Sequence, residues 1–360
     1  MDKASRLMLS LPRDLDAVLI TSPENRLYFT GYPGEGVLLL TRNPFFFFSD
    51  PQDISSAKKM IRDMLVLSLD RWPALPEILS NYSVRRIAVE TQFLSVAQLK
   101  NLRERYPRAE FLADGRADSL ISEMRKQKDT YEIDCICTAQ KNIDTVLAKV
   151  LYGLDPRRTE RELEAQLEYE IRMLNGERGL ASVFCQGGET CKSITLRLAA
   201  WVKGYSCRTV RTVLTGVSSG EGDRAREALL AAYSAMTDAV CPDIQCGQLE
   251  QIARQILEQS GYSRETLCFL GYGIGAAKSE PPLFEPGSRE AMEPGMVCFL
   301  SLRLSVPGLP HIEIGDTFLV TNEGVNCLSE LPQEIGWSGD RLGKTQLLEA
   351  EKNRILCNPQ

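Results

Sequence analysis

A pattern that occurs twice sets the tightest limit on what this chain can fold into. Pro156 is followed seven residues on by Leu163-Glu164, and the helical run closes at Gly176; Pro242 is followed seven residues on by Leu249-Glu250, and that run closes at Gly261. In the first copy Thr159-x-x-Glu162 is a capping box, and Leu163, Leu167, Ile171 and Leu174 recur at helical spacing until Asn175-Gly176 stops the helix. Helix, proline turn and helix met twice predict two related halves folded over a shared cleft. Chance likeness between two amphipathic helices is the competing reading. Beyond the second copy, Gly271-Tyr-Gly-Ile-Gly275, Glu280-Pro-Pro282, Glu293-Pro-Gly-Met-Val297 and Glu313 to Val320 alternate apolar and turn residues, as antiparallel strands do.

The segment before the repeats reads differently. Ala17 to Ile20, Val37 to Leu40 and Phe45 to Phe48 are continuous apolar runs, the mark of strands buried on both faces, and Arg86 to Glu90 adds another after a helix expected around Ala57 to Leu67. At 360 residues the chain exceeds what one core usually serves. Two domains are expected, 1–121 and 122–360, the second opening on the amphipathic stretch Lys128 to Val150. A net charge of -6 argues against nucleic acid or an anionic membrane as partner. No apolar segment approaches the roughly 20 residues of a membrane span, and the first twelve residues, broken by Pro12, fit neither signal peptide nor anchor, so a cytoplasmic protein is expected. Eleven cysteines without a Cys-x-x-Cys pair read as reduced, mostly buried thiols. The single histidine, His311, excludes a multi-histidine metal site.

These blocks, in this order, resemble the creatinase, prolidase and aminopeptidase P family. Ser22-Pro-Glu-Asn25 with Tyr28-Phe-Thr-Gly31 is similar to its N-terminal signature, and Arg125-x-x-Lys128-x-x-x-Glu132-Ile133 to the entry of its catalytic domain. Val202 to Tyr205, Arg211-Thr212, Gly271 to Gly275, Glu280 to Pro282, Glu293 to Met296 and Asp316-Thr317 are similar to the strands of its cleft. The resemblance implies an α/β creatinase-like N-terminal domain followed by an α+β pita-bread domain, internally duplicated, with an antiparallel sheet covered by helices. It also implies a homodimer.

Peptidases of that family hold two divalent metals with two Asp, one His and two Glu. Read against the flanking motifs, those positions are here Arg197, Arg208, Tyr272, Ser301 and Gly315, and Ser279 replaces an auxiliary histidine. Exchanging four carboxylates for neutral residues and two arginines takes the formal charge from -4 to +2. A divalent ion about 4 Å from one guanidinium meets roughly 8 kcal/mol of repulsion at an effective dielectric near 20. No metal or other cofactor is therefore expected.

Strand alternation then sorts the cleft: Arg208 shares a face with Ser206, Ser301 with Phe299 and Arg303, and Gly315 with Glu313. A cleft lined by Arg197, Arg208, Arg303, Tyr272, Ser206, Ser301 and Glu313 suits an anionic small molecule or peptide, a carboxylate or phosphate. Arg197 and Arg208 would act as bidentate clamps with Tyr272 and Ser301 as neutral hydrogen-bond partners. The alternative is that the arginines pair internally with Glu313, Glu280 or Glu189. Cys207 and Cys298 should face away from the cleft by the same parity, Cys185 and Cys191 stay open as nucleophiles, and a triad would have to recruit His311. Three functions follow in order: a homologue without metallopeptidase activity that binds an anion, a metal-independent hydrolase or lyase with new chemistry, and a residual proline-directed aminopeptidase or dipeptidase.

Overall fold

The computed structural model describes residues 2–152, 154–155, 157–175, 178–187, 191–216, 220–333 and 335–337. Pro156, Gly176 and Glu189 lie outside the described residues, as does the side chain of Cys191. The chain divides into compact units at Arg125/Lys126, four residues past the expected boundary, because the helix Arg116–Lys126 carries the first unit on to its end.

The first unit is built on a six-stranded mixed sheet of order β4-β3-β2-β1-β5-β6. Its strands are β1 (Ala17–Ile20), β2 (Gly36–Thr41), β3 (Phe45–Ser49), β4 (Leu65–Ser68), β5 (Arg86–Val89) and β6 (Glu110–Leu112). Its helices are α1 (Lys3–Ser10), α2 (Pro23–Thr30), α3 (Ile54–Met60), α4 (Leu75–Asn81), α5 (Val96–Arg105) and α6 (Arg116–Lys126). Every residue of β1 is buried, and Phe47 and Phe48 have no exposed surface, as the continuous apolar runs require. One expectation is corrected. The helix stops at Met60 and Leu65 to Leu67 belong to β4, whose parallel pairing with Phe46 to Phe48 overrides the local helical pattern. The similarity around Ser22 to Asn25 has a structural cause, since buried Glu90 accepts hydrogen bonds from the Ser22 amide and hydroxyl and from Asn25 Nδ2.

The second unit repeats itself. Helices α7 (Thr130–Tyr152) and α8 (Glu160–Asn175) precede β7 (Gly179–Gly187), β8 (Cys191–Val202) and β9 (Tyr205–Gly216). Helices α9 (Gly220–Asp238) and α10 (Cys246–Gln259) precede β10 (Leu267–Gly273), β11 (Glu280–Leu283), β12 (Val297–Leu304) and β13 (Ile312–Thr321). Short β14 (Gly324–Cys327) and β15 (Ile335–Trp337) pair with β13 and β9 in the same nine-stranded sheet, whose main order is β11-β10-β12-β13-β9-β8-β7. Thr159 and Glu162 make the reciprocal capping bonds before α8, and Gly261 takes the left-handed φ of +88° just past α10. Each half buries its own helix pair on its own strands: Ile143, Leu147 and Leu167 against Ile194 and Leu196, and Leu229, Met236 and Leu249 against Leu300 and Leu302.

The two halves join where β9 meets β13. Their ladder is registered at Gly315 and Val210, and two threonines extend it. The Thr317 hydroxyl donates to the Arg208 carbonyl (2.9 Å) and accepts from the Arg208 amide (3.2 Å); the Thr212 hydroxyl donates to the Glu313 carbonyl and accepts from its amide, both at 2.9 Å. Arg211-Thr212 and Asp316-Thr317, two of the motifs carrying the resemblance, are therefore a fastening. Arg211 and Asp316 point from the same strands into the helix side and pair at 2.7 Å, both essentially unexposed.

Candidate functional site

The sheet face opposite the helices carries a cavity of about 430 Å³ whose lining draws on β7, β8, β9, β10, β12 and β13. It brings together Arg197, Arg208, Tyr272, Ser301, Arg303 and Glu313. The parity of β12 puts Phe299, Ser301 and Arg303 on this face and Cys298, Leu300 and Leu302 in the helix-side core. Arg197 pairs in register with Val210 and Arg208 with Ala199, so the two arginines sit diagonally across neighbouring strands on one face.

Their partners differ. Arg197 Nε lies 3.2 Å from both carboxylate oxygens of Glu313, its Nη2 donates to Oε2, and its guanidinium carbon stands 4.5 Å from the Phe184 ring centroid. The internal ion pair thus takes the Nε edge with which a clamp would grip a ligand, which corrects the expectation for Arg197. Among the described residues Arg208 has no carboxylate partner: its Nη1 donates to the Tyr272 hydroxyl at 2.7 Å, and its buried Nε has no hydrogen-bond partner there. Arg303 is opposite Glu313 in register, yet the carboxylate turns to Arg197 and to the Ser301 hydroxyl (3.3 Å), leaving Arg303 Nε buried without a partner among the described residues. Glu280, the other described candidate partner, pairs with Lys128 at 2.9 Å. Burial pushes the Tyr272 phenol above its ordinary pKa although the Arg208 charge pulls the other way, so it stays neutral.

Ser206 is the remaining correction. It shares the face of Arg208, but it is fully buried at the strand end, where its amide and hydroxyl both donate to the Gly275 carbonyl, and it does not line the cavity. Gly315 leaves no room for a side chain: a Cβ there would stand 2.8 Å from Ser301 Cβ and 2.8 Å from Phe299 Cζ. Six lining residues were missed, Leu180, Ser182, Leu198, Cys268, Leu270 and Lys278. The parity 268, 270, 272 along β10 could have found Cys268; nothing local marks the loop residue Lys278.

The cavity holds little else that titrates. Among the described residues Glu313 is its one lining carboxylate, against Arg197, Arg208, Arg303 and Lys278. Among the described residues no group of three or more His, Cys, Asp and Glu could hold a metal ion. Cys207 faces the helices, where burial pushes its thiol pKa up and its Sγ donates to Gln140 Oε1, and Cys298 is equally buried. His311 does not line the cavity, and its buried Nδ1 has no hydrogen-bond partner among the described residues.

Residues 134–322 match the profile of Metallopeptidase family M24, and residues 10–127 that of the Creatinase/Prolidase N-terminal domain. The chain belongs to metallopeptidase family M24. The Xaa-Pro dipeptidase of Pyrococcus furiosus is 25% identical over 338 residues, covering 89% of this chain and 95% of that protein. The Xaa-Pro dipeptidase of Lactobacillus helveticus is 25% identical over 349 residues, covering 89% and 94%. Among solved structures, an Xaa-Pro dipeptidase from Bacillus anthracis superposes with a TM-score of 0.86 at 21% identity, over 93% of this chain and 99% of its own. An X-Pro aminopeptidase from Thermotoga maritima gives 0.83 at 20% identity, over 94% and 100%. The fold of this M24 protein is thus a creatinase N-terminal domain followed by the duplicated pita-bread domain, and among the described residues no helix is long and apolar enough to cross a membrane.

Proposed function

We propose that this M24 protein does not work as a dinuclear metallopeptidase and that its cleft instead binds an anion, a carboxylate or phosphate on a small molecule or peptide. One observation carries the reading: Arg208 and Arg303 border the cavity with no carboxylate of their own among the described residues, each with a buried, unpartnered Nε. A buried donor without an acceptor costs about 1–3 kcal/mol, and an anion supplying the acceptor removes that cost.

The residues present do not fit a pair of divalent ions. Hard-cation sites need several oxygen ligands with net negative charge. Among the described residues this cavity offers one carboxylate, already held by Arg197, and four cations that cannot become ligands while protonated. At Gly315, where the resemblance implies a glutamate ligand, Ser301 and Phe299 fill the space a side chain would need. A metal-independent hydrolase or lyase of creatinase type would use the same anion pocket. Proline-directed peptidase activity would need ligands from outside the described residues.

Two measurements test this together. At a hundredfold excess over Kd an anion contributes about 2.7 kcal/mol, a rise in Tm of about 5–10 °C for a domain of this size. Sulfate, phosphate and a carboxylate panel should include such ligands, and Arg208→Ala should remove most of the shift. Elemental analysis finding two equivalents of Mn, Co or Zn per chain, or an anion panel without a shift, overturns the proposal. The nine described cysteines are all free thiols, which supports the cytoplasmic setting we also propose. A homodimer is proposed on kinship alone; a single-protomer mass in analytical ultracentrifugation refutes it.

A further inference from the structure

We infer that the ligand of this cavity is an elongated dianion, with one carboxylate or phosphate at each end, an inference that rests on the anion-binding reading above. The two uncompensated arginines leave the sheet at separate points. Val210, Gly315 and Ser301 lie at one level of the sheet, paired through β9, β13 and β12. From that level Arg303 is two residues toward Glu313, its register partner, while Arg208 is two residues the other way, beside Thr317. The two are therefore four residues apart along the sheet, about 13 Å, and two strand spacings across it, about 10 Å, which puts their Cα atoms about 16 Å apart.

Each arginine is rooted at its own end. Arg208 is tied to the Tyr272 hydroxyl, and Tyr272 pairs with Phe299, which pairs with Thr317, so tyrosine and arginine share one level. Lys278 lies in the loop just after β10 ends at Gly273, beyond Tyr272, and adds a second cation there. At the far end Arg303 faces Cys268 across β10 and β12, next to the Arg197–Glu313 pair, whose charges offset one another. Between the ends lie Val210, Ser301 and Leu270, a stretch without charge, with Phe299 beside Tyr272 at the Arg208 end. A small tetrahedral or planar anion satisfies one end and leaves the other guanidinium as it was. A molecule with an apolar spacer and two anionic ends satisfies both, and each end brings its own charge-assisted bonds.

The test uses the full-length protein and saturated acids of matched length in calorimetric titration. Suberate should bind at least about tenfold tighter than octanoate, which has the same chain and one carboxylate, and tighter than succinate, which is too short to span. Arg208→Ala and Arg303→Ala should each bring suberate down to the affinity of octanoate, with Arg208→Lys and Arg303→Lys recovering part of the loss, which separates lost charge from lost folding. Suberate should protect Cys268 from N-ethylmaleimide while Cys241, exposed and outside the cavity, stays reactive. Suberate and octanoate within about twofold of each other, succinate or inorganic phosphate binding as tightly as suberate, or Cys268 left unprotected overturns the two-ended ligand but leaves an anion site standing. No binding by any anion overturns both readings.

Discussion

Asp316→Ala should cost the pita-bread domain about 3–5 kcal/mol, read as a fall in the urea midpoint at unchanged slope. The size follows from what is left behind. Arg211 is 1% exposed and cannot give up its proton, so removing the one carboxylate that bonds it among the described residues leaves a buried cation with only the more distant charge of Asp144. Burial alone would lower the Arg211 pKa, and the charge and hydrogen bond of Asp316, with smaller contributions from Tyr233 and Asp144, together more than offset this. Its other contacts are the carbonyls of Val210, Gly315, Leu331 and Pro332 and the Ser329 hydroxyl, dipoles that cannot replace a charge. Asp316 also accepts from the Tyr233 hydroxyl at 3.0 Å. Tyr233→Phe, which removes that one bond, should cost only about 1 kcal/mol. Because the pair lies where β9 meets β13, its loss should also loosen the strands that carry Arg208 and Glu313. A cost below about 1 kcal/mol for Asp316→Ala would mean that Arg211 finds another anion or reaches solvent, and that the seam is not held as described.

The parts of this site that could be read from sequence are those fixed by strand period alone. Alternation along β12 and β13 is local, so the shared face of Phe299, Ser301, Arg303, Glu313 and Gly315 followed from two-residue spacing. Partner choice is not local. Arg197 reaches Glu313 rather than Glu280 because β13 packs beside β9, itself beside β8, while Glu280 at the sheet edge is taken by Lys128 from the segment before α7. Depth along a strand is equally hidden: Ser206 has the right parity, but one end of β9 runs under the Gly275 carbonyl, and parity carries no information about that. The same limit explains β4, where parallel pairing with β3 decides the structure of Leu65 to Leu67.

Glu313→Gln should tighten the binding of phosphate or sulfate by roughly tenfold at low salt. Glu313 is the lone carboxylate on the lining among the described residues, and its charge both repels an incoming anion and cancels Arg197. Two unit charges about 7 Å apart interact by about 2.4 kcal/mol at an effective dielectric of 20; part of this is screened, since Arg197 is 36% exposed on its side chain, and about 1.4 kcal/mol is a factor of ten. Glutamine keeps an acceptor for Arg197 and for the Ser301 hydroxyl, so the shape of the site is retained while the charge is not. The gain should shrink as ionic strength rises past about 0.15 M, where the screening length is about 8 Å. A cleft that held divalent metal would respond in the opposite sense, because the substitution removes the one lining carboxylate among the described residues and leaves the cations. Calorimetric titrations of both proteins with phosphate, and separately with Mn, therefore discriminate by sign. An unchanged or weakened phosphate affinity at low salt would show that Arg197 and Glu313 act as a neutral wall and that the anion, if bound, sits beyond their reach.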